Sequence, residues 1–173
     1  NYKPAVRSIW KQEWVGLANF AKLFTGVNGE RFIKDVRNTL GQSFLTLLVG
    51  YLGSISLALL LNEVKNIKFK RIVQNITYMP HFLSWIIVAG LVSTMLAVPT
   101  SGGIINDVLI RLGIIKESIM FLSYPEYFWW IVAFSHLWKE MGWNSIIYLA
   151  AMTSIDPTLY EAAIIDGANR YQK

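Results

Sequence analysis

Charge comes in blocks along this chain, and long uncharged runs separate them. Residues 1–37 mix Lys, Arg, Asp and Glu with aromatic residues. Within them, Gly16-Leu17-Ala18-Asn19-Phe20 leading into Ala21-Lys22-Leu23-Phe24 predicts a short surface helix. Charge then disappears between Arg37 and Glu63, leaving the 25 residues Asn38–Asn62 with the dense apolar stretch Phe44–Leu61. A helix of about 20 residues crosses a hydrocarbon core of about 30 Å, so one span is expected near 38–62. Gly50, Gly53, Ser54, Ser56 and Ala58 are small enough to let a second helix approach closely. A buried helix of a soluble core is the alternative, and the length of the run argues against it.

Glu63–Arg71 is a short hinge carrying Lys65, Lys68, Lys70 and Arg71. The longest uncharged run, Ile72–Asn106, follows and predicts a second helix near 74–97. Pro80 is expected to kink or cap its start, and Pro99, Ser101, Gly102 and Gly103 to end it. Ile104–Gly113 sets Ile, Val and Leu against Asp107 and Arg111, as an interfacial amphipathic helix does. Pro125 marks the start of a third long helix near 126–152. The fold class is therefore all-α and membrane-embedded, with about three transmembrane helices.

Composition agrees. Of 173 residues, 54% are hydrophobic and 16% charged, against about 25% charged in soluble domains. Seven Trp and eight Tyr suit membrane interfaces. There is no Cys, which excludes disulfides and thiol chemistry, and two His make a His-rich metal site a poor expectation. The net charge of +5 is scattered rather than gathered on a face, so no nucleic-acid partner is expected. The chain starts at Asn1 and stops at Lys173, and both ends read as truncations, with no signal peptide. Charge alone leaves orientation contradictory. Four basic residues in 63–71 suggest the cytoplasmic side, yet seven lie in 1–37, which would face the other way. The compact loop is preferred, because the next motif requires it.

That motif is Tyr160-Glu161-Ala162-Ala163-Ile164-Ile165-Asp166-Gly167-Ala168-Asn169-Arg170-Tyr171-Gln172. It resembles the EAA loop of ABC importer permeases: EAA, two residues, DGA, three residues, then Gln. Asp156 can cap a helix that has Pro157 at its first position, or Thr158 and Glu161 can form a capping box. Ala162 and Ala163 favour helix and give a thin profile, and Gly167 can end the helix with positive φ. An ordinary amphipathic connector would need only the Ala pair, not the whole pattern. Trp14-Val15-Gly16-Leu17-Ala18-Asn19-Phe20, Asn38-Thr39-Leu40, Tyr78-Met79-Pro80-His81-Phe82-Leu83-Ser84-Trp85, Trp138-Lys139-Glu140-Met141-Gly142-Trp143 and Ile155-Asp156-Pro157 are similar to the carbohydrate-uptake branch of these permeases, in particular to those for complex or acidic oligosaccharides in Gram-positive bacteria.

The resemblance implies a piece of a type I ABC importer permease in a bacterial cell membrane, multi-pass, forming the path for a sugar or oligosaccharide. It implies an extracytoplasmic segment over 1–37, the permease transmembrane domain over 38–173, and a cytoplasmic coupling helix within 156–173. One span before Asn1 and two after Lys173 would be missing. Glu161, Ala162, Ala163, Asp166, Gly167 and Ala168 would contact an ATPase. The implied partners are a homologous second permease, two ATPase subunits and a solute-binding protein. ATP and Mg²⁺ would be held by the ATPase, leaving this chain without cofactor, metal or catalytic residues. No Gly-x-x-x-x-Gly-Lys-Ser/Thr loop occurs. A permease for an amino acid or peptide is the alternative, and a membrane-embedded enzyme or sensor a more distant one.

The third helix carries Lys139 and Glu140 near its middle. A central Lys costs about 2.5–3.5 kcal/mol on insertion scales, whereas eight Leu, Ile, Val and Phe in 127–152 return only about 4 kcal/mol. The charged side must face protein or water. His136, Lys139, Glu140 and Trp143 share one helical face at spacings of three, four and seven. Two readings follow: the four line a sugar path, at a location the resemblance supports, or Lys139 and Glu140 merely tie helices together.

Overall fold

The computed structural model describes residues 16–101, 103–169 and 172, and every regular element among them is helical. Residues 1–15 and positions 102, 170, 171 and 173 lie outside the described residues, and with them Trp14-Val15 and part of the motif's tail. Contacts divide the chain into two units, with the boundary after Gly41.

In the first unit, α1 (Ala18–Leu23) occupies the place expected for a short helix. The next helix, α2 (Gly26–Glu63), begins well before residue 38. The expectation that it starts at Asn38 took the end of charge for the end of helix, but a helix continues through charged residues wherever they are solvated. Gly29, in the first turn of α2, must lack a side chain, because a Cβ there would lie 2.7 Å from the Phe24 carbonyl. Phe24 packs edge-to-face on Phe32 at 5.1 Å.

In the second unit, Asn66 opens α3 (Ile67–Tyr78) by accepting the N–H groups of Lys68 and Phe69 at 3.0 and 3.1 Å. The continuous helix expected over 74–97 is a broken one. A 3₁₀ turn at Met79–Phe82 follows α3, Leu83 and Ser84 are extended, and α4 (Trp85–Leu96) leaves at 105° to the preceding segment. Pro80 has no N–H to give the helix ladder, and Ser84 restarts it by capping Ile87 at 3.4 Å. The break falls five to ten residues past the expected start at 74, inside the expected helix.

Next, α5 (Ile104–Arg111) is locked by Asn106, which is fully buried. Its amide donates to the carbonyls of Ala97 and Ile119 at 3.0 and 2.9 Å, and its oxygen accepts the Ile119 N–H at 2.8 Å. The long helix α6 (Pro125–Thr153) then returns past α2 and α3, and α7 (Pro157–Ile165) follows. Ala58, Leu61 and Leu149 form the buried core of this unit, flanked by Leu57, Val73, Tyr148 and Met152. Small residues set the approach, as membrane packing requires. Gly142 lies against the Thr77 backbone carbonyl, too close for any Cβ, and Gly53 against the tip of the Leu137 side chain, which would have to shift to admit one.

Large apolar side chains remain uncovered, among them Leu47 at 69%, Leu60 at 67% and Ile86 at 85% exposure. Such a surface suits lipid or further helices rather than water. One described helix is long and apolar enough to cross a membrane alone, the Gly29–Glu63 part of α2, while the segment Ile67–Phe82 and α4 qualify only as a bent pair. With 29 residues α6 is long enough, but its polar residues keep it out of that class.

The α3–α6 crossing is expected to tolerate no side chain. Gly142→Val should destabilise the protein by about 1–3 kcal/mol through overpacking, whereas Gly90→Ala, at a position with open space around it, should not. Thermal unfolding in detergent of the two variants checks this.

Candidate functional site

The middle of α6 meets the break between α3 and α4. A broken helix leaves carbonyls without their ladder partners. Lys139, 5% exposed, reaches the break and donates to the His81 carbonyl at 2.8 Å. The same ammonium bonds Glu140 Oε1 at 2.8 Å and sits 5.2 Å from the centre of the Trp85 ring. Glu140 Oε2 bonds His81 Nδ1 at 2.7 Å. A carboxylate only accepts, so Nδ1 carries the proton in this pair. Trp143 stacks on the His81 ring at 4.4 Å, nearly parallel, with Phe82 on its edge at 5.9 Å. Lys139, Glu140 and Trp143 therefore converge on the break. The polar atoms of Lys139 and Glu140 are occupied by each other and by His81, which is the arrangement of a clasp.

His136 goes elsewhere. It lines a groove of about 510 Å³ whose other walls include Gln42, Thr46, Ser54, Asn144 and Tyr148. Its ring lies 6.0 Å from that of Trp85. Gln42 donates to Thr46 at 2.9 Å and to the Trp129 carbonyl at 3.2 Å, and its own oxygen is buried without a partner among the described residues. Ser54 Oγ and His136 Nδ1 are likewise buried without a partner among the described residues. Sequence reasoning missed His81, Gln42 and this role of Ser54. A polar residue next to Pro80 inside an uncharged run was the available signal for His81.

The motif is built from local rules. Asp156 accepts the Thr158 N–H at 2.9 Å, so the Asp–Pro cap prevails over the Thr158–Glu161 box. That bond holds the Asp156 carboxyl below its ordinary value. The cap is thus complete above the ordinary aspartate value of about 3.9 and is lost as pH falls through the lowered one. At the other end, Gly167 takes φ +79°. Ala168 N–H donates to the Ala163 carbonyl at 2.9 Å and Gly167 N–H to that of Ile164 at 3.1 Å, a Schellman stop. Gln172 Oε1 accepts the Asn169 N–H at 2.8 Å and closes the next turn. The helix buries none of its residues, and Leu159, Ile164 and Ile165 stand 63%, 57% and 85% exposed.

A family model for the binding-protein-dependent transport system inner membrane component matches residues 50–173, from the middle of α2 through the motif. The chain belongs to this family. It is 43% identical over 173 residues to YteP of Bacillus subtilis, a polygalacturonan/rhamnogalacturonan transport system permease protein, covering 100% of this chain and 51% of YteP. In the crystal structure of a bacterial ABC transporter involved in import of the acidic polysaccharide alginate, one chain superposes with a TM-score of 0.83 at 46% identity, covering 94% of this chain and 55% of that one. A second structure of the alginate transporter, in complex with an alginate pentasaccharide-bound periplasmic protein, gives a TM-score of 0.81 at 46% identity over 91% of this chain and 52% of the other. The chain spans about half the length of these relatives. The all-α permease fold expected from the sequence is thereby shown, as is membership among inner-membrane components.

If Lys139 and Glu140 form a clasp, removing one strands the other. Lys139→Met or Glu140→Gln alone is expected to cost about 3–5 kcal/mol, and the double variant less than the sum of the two. A double-mutant cycle by thermal unfolding measures that coupling.

Proposed function

We propose that this chain forms part of the membrane-spanning permease of an ATP-driven importer and of the path for a sugar or oligosaccharide. The observation that carries this is α7. It has the EAA pattern, a cap and a Schellman stop, and it leaves its apolar side chains uncovered. A helix so finished at both ends that buries none of its residues among the described ones suits a groove in another protein. The partner in this reading is a separate ATPase that holds ATP and Mg²⁺, so this chain is not itself an enzyme. Glu161, Ala162, Ala163, Asp166, Gly167 and Ala168 form the contact.

The carbohydrate class rests on the relatives: YteP by its name serves polygalacturonan and rhamnogalacturonan, and the solved transporter imports alginate. The alginate transporter's bound periplasmic protein supports a solute-binding protein as donor. A homologous second permease and two ATPases complete the proposed assembly, in a cell membrane that this chain crosses more than once, α6 included. Of the four residues considered for the path, His136 keeps that role, while Lys139, Glu140 and Trp143 shape the path by holding the broken helix.

Glu161→Lys reverses a charge on α7, and Gly167→Val places a β-branched residue in the left-handed region at a cost of about 1–2 kcal/mol. In the complete transporter, each is expected to lower uptake about tenfold while membrane levels hold and ATP hydrolysis no longer tracks transport. Unchanged uptake in both variants contradicts the coupling role.

A further inference from the structure

We propose that the exposed face of α3 is a docking surface for the anionic phospholipids of the leaflet at the α7 end of the molecule. The proposal does not depend on the transported solute and needs only that the chain lies in a membrane, which the family establishes. One side of α3 is covered by its own chain. Val73 packs on the core of Leu61 and Leu149, and the Thr77 backbone lies against Gly142 of α6. The other side is uncovered. Phe69, Ile72 and Ile76, at spacings of three, four and seven, share one stripe, and each is more than half exposed. Lys68 and Arg71, both exposed, fall beside that stripe round the helix, while Lys70 is half-buried toward the packed side. No ion pair among the described residues involves Lys65, Lys68, Lys70 or Arg71, and across 63–78 the sequence has Glu63 as its single acidic residue. Asn66 takes the N–H groups of Lys68 and Phe69, so the charge of the patch is that of its side chains.

The level of this face in the membrane follows from its neighbours. The apolar span within α2 ends at Glu63. The last turns of α2 and of α6 share the core of Ala58, Leu61 and Leu149, and only Ser154, Ile155 and Asp156 separate α6 from α7. The start of α3 therefore lies at the membrane surface, at the same end as α7. Lys and Arg at that depth lay their methylene stems along apolar surface and hold their charge among the headgroups. Basic clusters just beyond a span attract anionic lipid, by about fivefold for each charge. A soluble acidic protein would match the charge equally well. It would also have to cover Phe69, Ile72 and Ile76, a stripe that runs from the surface toward the break at Met79 and into the apolar layer, where a soluble partner does not reach. A lipid covers both parts at once, headgroup on the basic flank and acyl chain on the stripe.

The test places one fluorophore in the stripe. This chain has no Cys, so Ile72→Cys, with any Cys elsewhere in the complete transporter replaced, takes a bimane label at a single position. The transporter is reconstituted in mixed bilayers of phosphatidylcholine and phosphatidylglycerol, with one or the other brominated on its acyl chains. Quenching then reports which lipid lies beside the stripe. Phosphatidylglycerol is expected to be enriched there about two- to tenfold over the bulk. The enrichment is expected to fall toward parity in Lys68→Gln/Arg71→Gln and to shrink as salt rises. Lys116→Gln, in the loop before α6, is expected to leave it unchanged. Equal quenching by the two lipids at low salt overturns the proposal, since the stripe then lies in lipid that its basic flank does not select. Quenching by neither overturns it as well, because protein or water then covers the stripe. Enrichment that persists in the double variant and at high salt belongs to something other than these charges and overturns it too. The salt titration needs no charge substitution, so it decides the matter even if the double variant fails to fold.

Discussion

A helix interrupted inside an apolar layer must find partners for the backbone groups it frees, and much of this molecule is arranged around that requirement. The chain stops being helical between Met79 and Ser84, and α6 answers with Lys139 on the His81 carbonyl and Glu140 on the His81 ring. Neither charge is tolerable alone at that depth. Together, with a carbonyl and an imidazole to complete their bonding, they offset most of the cost of burial and fix both the angle of the break and the rotation of α6. Gly142 is the steric half of the same arrangement, since only a bare backbone lets α6 come within reach of Thr77 and of the break.

Fixing the rotation of α6 divides its polar residues between two tasks. Lys139, Glu140 and Trp143 are consumed at the break, whereas His136, Asn144 and Tyr148 face α2 across the groove. The two sets differ in chemical state. At the clasp Lys139 and Glu140 find partners for their charges, whereas three polar atoms buried behind the groove wall have none among the described residues. A helical face read from spacing alone placed His136 with Lys139 and Glu140, because three- and four-residue intervals do not say which neighbour each side chain meets.

What was legible in the sequence was what local rules decide. The uncharged runs marked the long helices, Asp156-Pro157 marked the start of α7, and Gly167 marked its end, because caps and left-handed stops depend on a few consecutive residues. The family pattern was legible for the same reason. The break was not, since hydropathy over Ile72–Asn106 is the same for one helix or two, and the 105° turn depends on partners some 55–60 residues away. Likewise Asn106 reads as a polar residue of an amphipathic helix, and only three carbonyls converging from other segments make it a buried lock. The start of α2 was misplaced because charge reports where lipid ends, not where helix ends.

The proposed coupling role gains from how little chain separates its parts. Only Ser154 and Ile155 lie between the end of α6 and the Asp156 cap of α7, and both are tied back into the last turn of α6 by their N–H groups at 3.1 and 3.4 Å. A connection that short has few free dihedrals to absorb motion. Displacing α7 therefore pulls on α6 itself, and α6 carries both the clasp on the broken helix and one wall of the groove. In that proposal an ATPase seated on Leu159, Ile164 and Ile165 would act on α6 as a single rigid element, and the Lys139–Glu140–His81 contacts would be the point where that pull either moves α4 or is resisted by it.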